Sequence, residues 1–153
     1  MNLVDELHAI AAALTAASVT YAICGGVAVT AHGATRSTKD IDILVARADL
    51  QRALDVVRPL GYAFVALPMT FDAGTAKERH VQRVSKIDGD EHLVLDLLLA
   101  EAAFADTLDD RDRVSMPEGV LFVVSRETLL RMKRLAGRAQ DLADIERLES
   151  GDA

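Results

Sequence analysis

Residues Leu93-Val94-Leu95-Asp96-Leu97-Leu98-Leu99 place one carboxylate in the middle of six Leu and Val residues. A run this apolar and of this length reads as a buried strand. An ionised carboxylate is expensive to bury there unless it meets a cation or a hydrogen-bond donor. The strand, over residues 91–99, is the second arm of a hairpin whose first arm covers roughly 78–87, with Asp88-Gly89-Asp90 between them. Asp-Gly is a strong hairpin turn signal, because glycine accepts the positive φ that such turns require. The chain must therefore fold around a sheet that carries Asp96 where a cation or a hydrogen-bond donor can answer it.

The remaining periodicities build elements around that hairpin. Leu3, Leu7, Ile10, Ala11 and Leu14 recur at helical spacing, so residues 3–17 are predicted as an amphipathic helix. Val19 to Cys24 has strand character and ends at Gly25-Gly26, and a short Ala/Val-rich helix follows to about His32, stopped by Gly33. Asp40 to Val45 alternates as a strand with a polar and an apolar face. Residues 48–58 are helical and end at Pro59, while residues 61–76 carry no assignable pattern. Residues 100–108 read as a short helix, and Val114 and Gly119–Val124 as short strands about a turn at Pro117-Glu118. Ser125 is a good N-cap for a helix over 126–136, Gly137 a good stop, and a last helix covers 139–149. This order predicts an α/β (α+β) fold with a mixed β-sheet flanked by helices and C-terminal helices, all within one domain over residues 1–153.

Composition limits what such a domain can do. Half of the residues are hydrophobic, too many for a disordered acidic tail. The net charge of −7 argues against a duplex-DNA binder, so no sequence-specific DNA partner is expected. The single cysteine, Cys24, gives no disulfide framework and reads as a small core hydrophobe. Every apolar run is interrupted by charge before it reaches membrane-spanning length, and the opening Met1-Asn2-Leu3-Val4-Asp5-Glu6 has no basic leader. The expectation is a cytoplasmic protein with no membrane partner. His8, His32, His80 and His92 lack zinc-ligand spacing, and Asp40 does not begin a calcium loop.

Asp40 and Asp42 sit two apart on a predicted strand, so both carboxylates share a face while Ile41 and Ile43 point into a core. Adjacent carboxylates repel unless a cation lies between them, and Mg²⁺ prefers oxygen ligands while leaving positions for phosphate and water. Gly25 and Gly26, between a strand and a short helix, allow close backbone approach to a phosphate at a helix N-terminus. Asp96 on a neighbouring strand would complete a metal site or accept the proton of an attacking hydroxyl. Together these are the parts needed for phosphoryl or nucleotidyl transfer.

The combination of Gly25-Gly26, Asp40-Ile41-Asp42 and a hydrophobic strand bearing Asp96 resembles the nucleotidyltransferase superfamily that includes DNA polymerase beta. Within it, Arg36-Ser37-Thr38-Lys39-Asp40-Ile41-Asp42 and the tail from Lys133 to Asp144 are similar to the AbiEii-type toxin nucleotidyltransferases. The resemblance implies two divalent cations, most simply Mg²⁺, held by Asp40, Asp42 and Asp96, with an NTP as substrate. It places Lys133 and Arg138 at the nucleotide. Arg36 and Thr38 complete the candidate nucleotide-binding set, and Lys39 is also within reach of a phosphate. Asp141 and Asp144 are read as partners of nearby basic residues rather than metal ligands. Residues 126–138 carry a local charge of +4 (five basic residues against Glu127), so the rest of the chain sums to −11. The implied acceptor is RNA such as tRNA, a protein or a small molecule. The toxin resemblance adds a toxin–antitoxin setting with an antitoxin or partner protein. The alternatives are a nucleotide-binding or interaction subunit without turnover, and an antibiotic-modifying nucleotidyltransferase.

Overall fold

The computed structural model describes residues 1–33 and 40–150. Helix α1 (Leu3–Ala16) is capped by Asn2, whose side chain accepts hydrogen bonds from the N–H groups of Val4 (2.9 Å) and Asp5 (3.2 Å). It buries Leu7, Ile10, Ala11 and Leu14, the residues that recur at helical spacing. Strand β1 (Tyr21–Cys24) runs directly into the short helix α2 (Gly25–Ala31). Strand β2 (Asp40–Val45), helix α3 (Leu50–Val57) and two short strands, β3 (Tyr62–Val65) and β4 (Met69–Phe71), come next. The hairpin is formed by β5 (Arg79–Asp88) and β6 (Glu91–Leu99), and a second hairpin by β7 (Arg111–Met116) and β8 (Gly119–Val124). Helix α4 (Arg126–Ala136) is capped by the Ser125 hydroxyl, which accepts from the Thr128 N–H at 3.1 Å. Gly137 ends it in the left-handed region at φ 64°, and α5 (Ala139–Ser150) follows.

The described strands form one mixed sheet in the order β3-β5-β6-β2-β1-β8-β7, with β4 also paired to β5. The central pairs β2/β6 and β1/β8 are parallel, while β1/β2, β5/β6, β3/β5 and β7/β8 are antiparallel. Ile41, Ile43, Leu95 and Leu97 are fully buried on one side of the central strands. Glu6 of α1 reaches that side, where Lys86 Nζ donates to Glu6 Oε1 at 2.8 Å and the Tyr62 hydroxyl donates to the same oxygen at 2.9 Å. Helices α4 and α5 stand over the other side, the one that carries the acidic residues.

Two stretches depart from the sequence reading. Residues 100–108 are not an α-helix: only a 3₁₀ turn forms, at Ala102–Phe104, because Ala102 and Asp106 take positive φ (51° and 68°). Residues 61–76, unassignable by pattern, supply β3 and β4 at the edge of the sheet. Phe64, Val65 and Leu67 are exposed there, so no alternation of polar and apolar residues marks them.

Candidate active site

The sheet brings four side chains onto a single rung. In β2/β6 Asp42 lies opposite Asp96, in β1/β2 Cys24 lies opposite Asp42, and in β5/β6 Arg83 lies opposite Asp96. Residues facing one another across a ladder project to the same side. The rung therefore reads Arg83, Asp96, Asp42, Cys24 across four adjacent strands. Asp40, two residues before Asp42, emerges on the same face at the exposed start of β2.

These side chains open onto a cleft of about 280 Å³ between the sheet and the α4–α5 pair. Its walls include Gly25 and Gly26, the three aspartates, Arg83, Lys133 and Arg138. A second cavity of about 180 Å³ continues past Arg83 and Asp96, with Met69, Phe71, Val81 and Phe104 as its apolar lining. Of the residues singled out by sequence, Asp40, Asp42, Asp96, Gly25, Gly26, Lys133 and Arg138 line the one cleft between sheet and helices. Arg36, Thr38 and Lys39 lie outside the described residues.

Gly25 is fixed by the carboxylate beneath it. It has φ +66°, and a Cβ there would run into Asp42, at 2.7 Å from its Cγ. Only glycine permits both the backbone angle and the contact. Helix α2 begins at Gly25 without any side-chain cap, since its N-cap is Cys24. Its first N–H groups therefore donate no hydrogen bond to the N-cap side chain.

Asp42 carries the clearest electrostatic signature. Its carboxyl is pushed up to about 7, first by burial and then by the negative charges of Asp96 and Asp40, against the opposing pull of Lys133 and Arg138. Burial, with Asp42 and Asp96 close by, also raises the Cys24 thiol well above its ordinary range. Cys24 is thus an inert wall of the cleft. Three aspartate side chains offer only oxygen, the donor type that suits a hard dication. Among the described residues, however, no three ligating side chains already form a metal cage.

Asp96 is held instead by Arg83, which sequence inspection did not single out. Its Nε donates to Asp96 Oδ1 at 2.8 Å and its Nη2 to Oδ2 at 3.0 Å, a two-pronged fork across the strand pair. Asp96 is 8% exposed, and the fork is the cation its burial demanded. The signal was present: counting five residues back from Asp88 and five forward from Glu91 across the hairpin lands on Arg83 and Asp96.

The basic groups above the sheet are also engaged. Lys133, only 6% exposed, lies 3.3 Å from Asp141 Oδ1 and 3.1 Å from Asp144 Oδ2. Arg138 Nε donates to Asp141 Oδ2 at 2.7 Å while most of its side chain stays exposed. Gln140 donates to Asp144 at 2.9 Å. Burial would raise Asp141, but Arg138 and Lys133 together hold it below the usual carboxylate range. Asp141 and Asp144 thus position Lys133 at the cleft wall, as the sequence reading anticipated.

No protein-family model and no curated protein matches the sequence. Solved structures do match the fold. The lincosamide antibiotic adenylyltransferase LnuA, with lincomycin bound, is 18% identical with a TM-score of 0.64, over 95% of this chain and 96% of that one. A candidate nucleotidyltransferase from Thermotoga maritima is 14% identical with a TM-score of 0.66, over 97% and 92%. ANT(2″)-Ia in complex with adenylyl-2″-tobramycin is 16% identical with a TM-score of 0.59, over 98% and 89%. At these identities the likeness establishes architecture: this chain has the nucleotidyltransferase fold.

Proposed function

We propose that the protein is a Mg²⁺-dependent nucleotidyltransferase that moves a nucleoside monophosphate from an NTP to a hydroxyl acceptor. The observation that carries this reading is the pairing of Asp42 with Asp96 on one rung, facing a cleft whose floor is Gly25 and whose walls hold Lys133 and Arg138. Asp40, Asp42 and Asp96 would hold two divalent cations. When bound, these would neutralise the triphosphate and polarise the attacking oxygen.

The chain's own groups account for the rest. Gly25 and Gly26 let the phosphates approach the backbone, where the first N–H groups of α2 donate. Lys133, steadied by Asp141 and Asp144, keeps a positive charge on the cleft wall, and Arg138 adds an exposed guanidinium at its mouth. Arg36 and Thr38 contribute from the segment before β2. The acceptor oxygen forms a bond to the α-phosphorus, the bond to the bridging oxygen of pyrophosphate breaks, and the hydroxyl proton passes to Asp96. In the cell we place the protein in the cytoplasm. The similarity of residues 36–42 and 133–144 to toxin nucleotidyltransferases supports a toxin–antitoxin pair acting on tRNA or protein.

Incubation with each labelled NTP and Mg²⁺ tests the reading, with tRNA, cell protein, a lincosamide and an aminoglycoside offered in turn. Label transfer by the native protein, lost in Asp40→Ala/Asp42→Ala, is the expected result, and the labelled class identifies the acceptor. Equal labelling by both proteins would refute the enzymatic reading. Mg²⁺–ATP binding in calorimetry with no transfer to any acceptor would instead identify a binding subunit.

A further inference from the structure

We infer that Arg83 is a built-in competitor for the metal site: the third carboxylate becomes a ligand only when its guanidinium lets go. This rests on the assignment of Asp96 as a metal ligand. The fork engages both oxygens of Asp96, so a dication on the same carboxylate would sit beside a second fixed cation. Arg83 also feels the charges of Asp40 and Asp42, so it serves as counter-ion to the whole acidic group. Three carboxylates on one sheet face repel one another, and the fork adds to the pull of Lys133 and Arg138 in stabilising the face while no dication is present.

The geometry permits release. Asp96 is held inside a strand, but the Arg83 side chain is 43% exposed and borders both the cleft and the adjoining cavity. A guanidinium released from Asp96 therefore moves into space beside Phe71 and Phe104 rather than into packed core. Loading the site and delivering a free positive charge to the adjoining cavity are then one event.

The test is Mn²⁺ binding to the full chain, followed by calorimetry and by the signal of free Mn²⁺ in electron paramagnetic resonance. Arg83→Gln should bind Mn²⁺ roughly tenfold more tightly than the native protein, the worth of one charge-assisted hydrogen bond. Arg83→Lys keeps the charge but cannot form the fork. It should also bind more tightly, by a smaller factor, which a general change in local potential would not produce. In the native protein, Mg²⁺ should shift the Arg83 side-chain Nε–H resonance and speed its exchange with solvent. Affinities unchanged in both variants, with binding still lost in Asp42→Asn, would overturn the competition and leave the metal site standing. Absence of Mn²⁺ binding in the native protein and both variants would overturn the metal site and the competition together.

Discussion

Replacing Asp42 by Asn should stabilise the fold, in a way that depends on pH. The Asp42 carboxyl is displaced from an ordinary 3.8 to about 7 because it is buried beside Asp96 and Asp40. At about 1.4 kcal/mol per pH unit, that gap corresponds to about 4 kcal/mol. The direction follows from proton linkage. Below pH 4 the carboxyl is protonated in both the folded and unfolded chain, so it costs almost nothing. Between pH 4 and 7 the folded chain retains a proton that the unfolded chain has released, so stability falls as pH rises. Above 7 the full penalty applies. Asparagine has the same shape and never ionises, so it escapes the penalty. Relative to the native chain, Asp42→Asn should gain roughly 3 to 4 kcal/mol more at pH 8 than at pH 4, or about 10 °C in midpoint at the higher pH. Any constant effect of the amide cancels in that difference. The assay is urea unfolding in the presence of EDTA at the two pH values. A gain of equal size at both would refute the claim that the acidic rung stores electrostatic strain.

Two further substitutions probe the surroundings of that rung. Gly25→Ala meets both a left-handed backbone angle and the Asp42 carboxylate, and should destabilise the fold by about 2 to 4 kcal/mol in denaturant titration. Adding Asp42→Ala removes the carboxylate but leaves a Cβ 2.9 Å away, so it should recover only part of the loss, and the two changes will not sum. Lys133→Met removes the cation shared by two carboxylates that are at most 1% exposed, leaving Arg138 on Asp141, and should cost about 3 kcal/mol at pH 7. That loss should shrink as pH falls through the range where Asp141 protonates, and a constant loss from pH 7 to pH 3 would show that the pairing is not electrostatic.

Much of this arrangement was legible in the residues because local rules dictated it. Asn2, Ser125 and Gly137 cap helices by chemistry that acts within a turn, and the Asp-Gly turn set the β5/β6 register. The two-residue spacing put Asp40 and Asp42 on one face, and the isolation of Asp96 among leucines announced that something must answer it. The answering residue was harder to see, because Arg83 is unremarkable in its own strand and acquires its role only by register. The pairing of β2 with β6 is parallel and joins residues more than fifty positions apart, so no local pattern reports it. Edge strands β3 and β4 escaped notice for a different reason. With one side in solvent and exposed apolar side chains, they present no periodicity to read. The positive φ of Ala102 has no local signal either, since alanine does not favour the left-handed region.

The cleft is assembled from distant parts of the chain, and this gives it a history. Its floor comes from β1, α2, β2 and β6, all complete by residue 99, whereas its roof is α4 and α5, residues 126–150. During synthesis the acidic rung is made before Lys133 and Arg138 have emerged, and among the described residues that line the cleft Arg83 is the only basic one made by then. The hairpin that delivers Arg83 beside Asp96 thus gives a nascent sheet its own counter-charge at the moment the carboxylates first come together. A growing chain can in this way close its sheet without waiting for the helices that later turn it into a site.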